Sequence, residues 1–318
     1  MPNRLILALD FGGTKHAAAI VRRGEKQWLA HRRAFSPPNA DASKDLEIMR
    51  SLIHDLMPDE QPDAIGISFG GPVEATTGRI RLSHHVPGWE NLPLRQILET
   101  EFSVPVGVDN DANVAALGEH RFGAGIGYDS LLYITVSTGV GGGWILNGQP
   151  WRGTEGMAGE IGHMVVEPNG SLCLCGKKGC VERLASGPYM AQDMQAELQQ
   201  QSQRGQILRT LVDNNLNAIT GQVISQAADS GDNLAIQILE RAGWAIGVSL
   251  GNVANLMNPQ LFVLGGGVTQ AGSHFWEPVR RVARETALPE INFKIIPAAL
   301  GDQAPLWGGV ALAEDLLN

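Results

Sequence analysis

Asp109, Asn110 and Asp111 stand together in Val106-Gly-Val-Asp-Asn-Asp-Ala112, where an apolar run ends and helical spacing begins. A carboxylate at such a point can take the proton of a hydroxyl as a phosphoryl group is transferred to it, and a neighbouring amide can fix a second hydroxyl. Asp111 fits the first task and Asn110 the second. Asp and Asn also serve as helix N-caps, which explains one such residue on its own; three in a row exceed what one cap requires. Glu160 and His163, in Ala158-Gly-Glu-Ile-Gly-His163, and Glu182 are further hydrogen-bonding groups suited to a polyol.

Three glycine-rich turns supply anion chemistry. In Asp10-Phe11-Gly12-Gly13-Thr14-Lys15 the glycines let backbone N–H groups approach a phosphate, Thr14 adds a hydroxyl, and Asp10 can hold magnesium through water. Ser137-Thr138-Gly139-Val140-Gly141-Gly142-Gly143 repeats that pattern, and the two turns together could clamp a triphosphate. A third turn, Gly265-Gly266-Gly267, follows a buried strand and suits a nucleoside. A tight hairpin or a plain strand-to-helix connection explains each turn taken alone. Neither of the first two is a P-loop, and Trp144 stands where a dinucleotide fingerprint starting at Gly139 needs glycine.

Cys173, Cys175 and Cys180, with His163 ten residues upstream, make four zinc-type ligands with no open position. That set implies a structural zinc stiffening the loop that presents Glu160 and Glu182; the alternative is three buried cysteines and a core histidine.

The elements that must position these groups follow from periodicity. Residues 4–10, 17–21 and 27–34 read as three strands joined by turns, and 41–57 as a helix with Leu46, Met49, Ile53 and Leu56 on one face. Strand 63–69, helix 92–102, strand 104–108 and helix 113–122 come next. A second strand, glycine turn, strand unit over 131–146 weakly echoes the first. Helices are expected at 188–201, 205–212, 221–229 and 233–257, then strand 260–264, a helix from Phe275 and a last helix at 306–317.

With 318 residues, 43% hydrophobic and 18% charged, the chain has the composition of an ordinary globular enzyme with room for two lobes. Its formal charge of -9 argues against a broad nucleic-acid or anionic-membrane surface and for a small-molecule partner. The apolar run Leu5 to Leu9 is too short for a signal or a membrane span, and the three clustered cysteines suggest a reducing compartment, so a cytoplasmic location is expected.

In this order, Asp10 to Lys15, Gly70-Gly71-Pro72, Pro87-Gly88-Trp89, Asp109 to Asn113, Ser137 to Gly143, Gly159 to His163, Cys173 to Glu182 and Leu264 to Val268 resemble the ROK family (repressors, open reading frames and sugar kinases), most closely its glucokinase-like branch. The resemblance implies an α/β, actin-like ATPase (ribonuclease H-like) fold of two lobes with a central cleft. The smaller lobe is expected at 1–118, with a C-terminal helix at about 304–318 packing back on it, and the larger, zinc-carrying lobe at 119–303. It further implies ATP with magnesium, a structural zinc and often a homodimer.

Carried over by position, Asp111 is the base; Gly71, Asn110, Glu160, His163 and Glu182 hold the sugar. Asp10, Gly12, Gly13, Thr14, Lys15, Thr138, Gly139 and Gly141 meet the phosphates, and Gly265, Gly266 and Gly267 lie near the nucleoside. His163 would serve metal and sugar through its two ring nitrogens. The implied reaction is conversion of D-glucose to glucose 6-phosphate at the head of glycolysis; N-acetylmannosamine, N-acetylglucosamine, mannose, fructose and allose are alternative substrates. Ser83-His84-His85-Val86 departs from the Asn-Leu common near the Pro-Gly-Trp motif and bears on which sugar is used. A repressor of this family carries a helix-turn-helix ahead of Asp10, where only nine residues stand, and a sugar-binding regulator without turnover would not need Asp111 and both phosphate turns intact.

Overall fold

A computed structural model describes residues 4–83, 86–201 and 203–318. The chain begins β1 (Leu5–Phe11), β2 (Lys15–Arg22), β3 (Ala30–Phe35), α1 (Ala42–Leu56), β4 (Ala64–Phe69), β5 (Val73–Glu74) and β6 (Arg79–Ile80). It continues through α2 (Leu94–Phe102), β7 (Val106–Asn110), α3 (Asp111–Phe122), β8 (Leu131–Val136), β9 (Val140–Leu146) and β10 (Gln149–Trp151). Helices α4 (Val181–Ala185), α5 (Gly187–Gln200), α6 (Gln206–Leu211), α7 (Gly221–Asp229) and α8 (Asn233–Met257) follow, and β11 (Leu261–Gly265), α9 (Ser273–Thr286), β12 (Lys294–Pro297) and α10 (Ala304–Asp315) complete it.

Two compact units result. The first comprises Met1–Asp129, Gly143–Ala158 and Ala298–Asn318, the second Ser130–Gly142 and Gly159–Pro297. The segments expected to form the smaller lobe, 1–118 and about 304–318, both lie in the first unit, which also takes in 119–129 and 143–158. Glu119, fully buried, shows why: its carboxylate accepts the N–H groups of Ala124 at 2.8 Å, Ala299 at 3.1 Å and Leu300 at 2.8 Å. The chain leaving α3 and the chain entering α10 are thus tied to one buried carboxylate within the same unit.

In the first unit the sheet order is β3-β2-β1-β4-β7, with β1, β4 and β7 parallel and β2 and β3 antiparallel to their neighbours. Alternation along β1 sorts its residues between two layers. Leu5, Leu7, Leu9 and Phe11 join a core with Met49, Ile53 and Leu98, while Ile6 and Ala8 pack with Trp307 and Val310 of α10. Helix α10 reaches the sheet because glycines meet there: a Cβ on Gly66 would lie 1.8 Å from the Gly309 carbonyl oxygen. The parallel strands therefore end in register, with Asp10 opposite Ser68 and Ser68 opposite Asp109.

In the second unit β8, β11 and β12 are parallel, pairing Leu261 with both Leu131 and Lys294. Against them lie long helices that approach one another closely. Gly243, Gly247 and Gly251, spaced by four along one face of α8, sit where a Cβ would come within 2.4–2.7 Å of Phe275, Val282 and Thr286 atoms of α9. No described helix is long and apolar enough to cross a membrane.

Candidate active site

Carboxyl ends of parallel strands are where α/β sheets place ligand-binding groups, and the first unit follows that rule. Asn110 ends β7 with φ −62° and ψ 146°, and its side-chain oxygen accepts the Ala112 N–H at 3.0 Å. The cap of α3 is thus Asn110, and the helix starts two residues before the expected Asn113. Asn110 Nδ2 also donates to the Gly71 carbonyl at 3.1 Å, which joins two of the expected sugar residues. Asp111 is the first helical residue, half-buried, and its Oδ1 shares the Ala112 N–H at 2.8 Å.

The first glycine turn is closed by a Gly12 N–H to Lys15 carbonyl bond of 3.1 Å, and a Cβ on Gly12 would fall 2.7 Å from that oxygen. Thr14 is exposed at its tip. Beneath it a buried carboxylate, Asp45, fixes the start of β2. It pairs with His16 Nε2 at 2.8 Å and accepts from the Ser36 hydroxyl and from Trp89 Nε1 at 3.2 Å. Trp89, of the Pro-Gly-Trp segment, also packs edge-on against Phe11 and Phe69, with ring centroids 5.5 and 4.8 Å away. Three partners for one buried carboxylate leave the turn on a rigid base.

Asp10 accepts the Ser68 hydroxyl at 2.8 Å, yet burial, with added repulsion from Asp111 and Asp302, pushes its carboxyl up to about 6. A carboxyl of this kind, next to a turn of backbone donors, fits a cation held through water. Without the cation the charge is a cost: below the ordinary value of 3.8 both folded and unfolded chains hold the proton, and above about 6 the folded form bears the full penalty. Asp10→Asn, assayed free of nucleotide and divalent cation, is therefore expected to stabilise the protein by about 2 kcal/mol at pH 7.5. Melting curves should show the gap closing as pH falls toward 4. Equal stability of the two proteins across this range would contradict the burdened carboxyl.

In the second unit the second and third glycine turns lie at the adjacent ends of β8 and β11, where Gly265 pairs with Thr135. Gly266, at φ +91°, sits against the Val136 carbonyl, where a Cβ would be 2.4 Å from the oxygen, so only glycine serves. Thr138 is exposed in the second glycine turn. Glu182, in the first turn of the short α4 that the sequence did not reveal, accepts the Val140 N–H through Oε2 at 2.9 Å. A Cβ on Gly139 would be 2.8 Å from that same oxygen.

Glu160 and His163 flank a single 3-10 turn, with His163 Nε2 4.0 Å from Glu160 Oε2. His163, Cys173, Cys175 and Cys180 bring one ligand atom each within 4.8 Å of one another. His163 Nδ1 is buried with no hydrogen-bond partner among the described residues, as a metal-facing nitrogen would be. Burial pushes the Cys180 thiol up to about 12, with Cys175 and Cys173 beside it, which is the environment a bound cation would reverse. The donor set fits tetrahedral zinc.

All expected site residues of the first unit, Asp10, Gly12, Gly13, Thr14, Lys15, Gly71, Asn110 and Asp111, cluster at the carboxyl ends of β1, β4 and β7 or in the turns that leave them. His84 and His85 lie outside the described residues. Sequence reasoning missed Ser68, Asp45 and Arg152. Ser68 carried a signal, as a polar residue near the end of an apolar strand; the other two are recognised only by partners remote in the chain.

The pattern that defines the ROK family matches residues 6–316. A glucokinase of Halalkalibacterium halodurans is 40% identical over 263 residues, 80% of this chain and 78% of its own. A glucokinase of Streptomyces coelicolor is 33% identical over 316 residues, 98% of each. Among solved structures, a ROK family glucokinase from Streptomyces griseus in complex with glucose and AMPPNP superposes with a TM-score of 0.84 at 33% identity, covering 98% of this chain and 99% of that one.

Proposed function

This chain belongs to the ROK family, with the actin-like ATPase fold, and from that premise we propose that it is an ATP-dependent hexose kinase converting D-glucose to glucose 6-phosphate. Support for glucose comes from relatives named glucokinase and from a solved relative holding glucose and an ATP analogue.

The observation that carries the reading is the division of labour at the start of α3. Asn110 caps the helix, and Asp111, the next residue, stands close enough to Asp10 to help raise its carboxyl. A proton acceptor and a carboxylate suited to magnesium thus share one corner of the first unit. Asp111 takes the proton of the sugar hydroxyl as the hydroxyl oxygen bonds to the γ-phosphorus of ATP and the bond from that phosphorus to the bridging oxygen breaks, releasing ADP. Gly71, Asn110, Glu160, His163 and Glu182 are the residues this reading assigns to the sugar hydroxyls. The turns at Gly12 to Lys15 and Thr138 to Gly141 offer N–H groups to the phosphates, and Gly265 to Gly267 line the nucleoside. Magnesium, held through water by Asp10, would draw off charge that develops on the transferred group. Zinc on His163, Cys173, Cys175 and Cys180 would have a structural task. The same reading takes the protein as a cytoplasmic homodimer serving glycolysis, without a nucleic-acid partner.

A coupled assay of ADP release from MgATP across a hexose panel tests it, with glucose expected to give the highest kcat/KM. A higher value for N-acetylmannosamine, N-acetylglucosamine, mannose, fructose or allose would move the substrate and keep the reaction. No release with any sugar would overturn the kinase reading in favour of a sugar-binding regulator.

A further inference from the structure

Asp109 is a carboxylate that the reaction described above does not use. It is 3% exposed, next to last in β7, and its partners account for both oxygens. Oδ1 accepts the Asn110 backbone N–H at 2.8 Å and Asn113 Nδ2 at 3.2 Å. Oδ2 accepts Nε of Arg152 at 2.5 Å. A buried carboxylate this close to a guanidinium has the shortness of a charge-assisted bond.

Arg152 is itself held from behind. It directly follows β10, its Nη1 donates to the Pro150 carbonyl at 3.5 Å, and its own carbonyl accepts the Ala158 N–H at 2.9 Å, closing the loop through Gly153 at φ +71°. The guanidinium is therefore held mainly by Asp109, with a long contact to the backbone of its own loop behind it. Through Asp109 the restraint reaches the Asn110 N–H, one peptide before Asp111, and Asn113 in the first turn of α3. Every residue in this chain of contacts lies in the first unit.

We propose that Arg152 and Asp109 are a positioning pair for the phosphoryl-transfer site: Arg152 locks the buried Asp109 carboxylate, which in turn holds the Asp109–Asn110 peptide and the Asn113 side chain, and so sets where Asn110 meets the sugar and Asp111 meets its proton. This rests on the reading of Asp111 as the base. The pair touches neither substrate; its effect is geometric, and a small displacement of a base costs a large factor in rate. Removing Arg152 alone leaves an unpaired buried charge that seeks other donors and pulls on Asn110, whereas removing both charges does not.

The test compares Arg152→Gln, Arg152→Lys, Asp109→Asn and the double variant Asp109→Asn/Arg152→Gln, with turnover expressed per nucleotide-binding site counted by calorimetry, so that loss of folded protein is not read as loss of rate. Arg152→Gln is expected to lower kcat per site about 30-fold and raise the sugar KM several-fold, with nucleotide affinity within twofold. The double variant should recover at least a third of that loss on a logarithmic scale, and Arg152→Lys, which keeps the charge without the Nε geometry, should fall between. Turnover per site within twofold of the parent in Arg152→Gln would overturn the proposal, as would a double variant no better than the single one. Should Arg152→Gln not fold, Arg152→Lys decides: parental kcat per site overturns the pair, and a severalfold loss supports it. Asp111→Asn run alongside separates the two readings, because full activity there removes the base itself, while an inactive Asp111→Asn with an indifferent Arg152 removes only the pair.

Discussion

Asp111→Asn is expected to lower kcat by about a thousandfold while the KM for the sugar stays within a few-fold. The substitution keeps the size of the side chain and an oxygen that can still accept a hydrogen bond, so sugar binding through Asn110 and the Gly71 segment is left in place. What is lost is the capacity to take a proton at the moment the hydroxyl oxygen bonds to phosphorus. The helix should not suffer, because the N-cap of α3 is the Asn110 side chain. Removing the charge of Asp111 also relieves Asp10, whose carboxyl its repulsion helps to raise, so the variant should bind MgATP at least as well as the parent. Single-turnover measurements with saturating glucose and ATP separate chemistry from product release. Near-parental turnover would take Asp111 out of the role of base.

That expectation could be framed from the sequence because the Asp-Asn-Asp cluster and the glycine turns are local signals. So could much of the scaffold. Asp41, followed by apolar residues at helical spacing, does cap α1 by accepting the Lys44 N–H. Helix α8 was expected, and is found, at 233–257. What stayed hidden depended on contacts between segments far apart in the chain. Asp45 is identified only by its buried partners His16, Ser36 and Trp89, from three separate segments of the chain. Arg152 stood 43 residues from the carboxylate it pairs with. Strands β5, β6, β10 and β12, of two to four residues, are too short to carry a periodic signal. The role of Glu119 has the same origin, since the two chain segments its carboxylate binds are recognised only in the folded chain.

The metal loop carries the other large effect. One zinc per chain is expected, and stripping it with a chelator, or removing a ligand by Cys180→Ser, should lower the melting temperature by about 10 °C or more and weaken sugar binding at least tenfold. Few other contacts hold the segment between His163 and Cys180: two isolated bridges, Val165 with Cys180 and Leu172 with Lys178, some turn bonds, the half-exposed ion pair of Glu167 with Arg241 of α8 at 2.7 Å, and the Tyr189 hydroxyl accepting the Leu174 N–H at 3.0 Å. Leu172 and Leu174 are 63% and 94% exposed, so the loop has no core of its own to fold around. Its two ends are the functional parts. His163 is one of the four groups proposed to hold the ion and, by its Nε2, a neighbour of Glu160. Cys180 immediately precedes α4, whose first turn carries Glu182, and Glu182 holds the Val140 N–H of the second glycine turn. On the function proposed above, loss of the ion is therefore expected to free the histidine assigned to the sugar at one end and to loosen the Glu182 anchor of the second glycine turn at the other. For that reason affinity for the nucleotide should fall along with that for the sugar, which a purely peripheral staple would not cause. Elemental analysis of untagged protein gives the first check, and zinc absent from fully active protein would refute the assignment. Titration of zinc back into the stripped chain gives the second: melting temperature, sugar affinity and nucleotide affinity should return together with a single stoichiometry of one ion, because all three depend on the same four side chains.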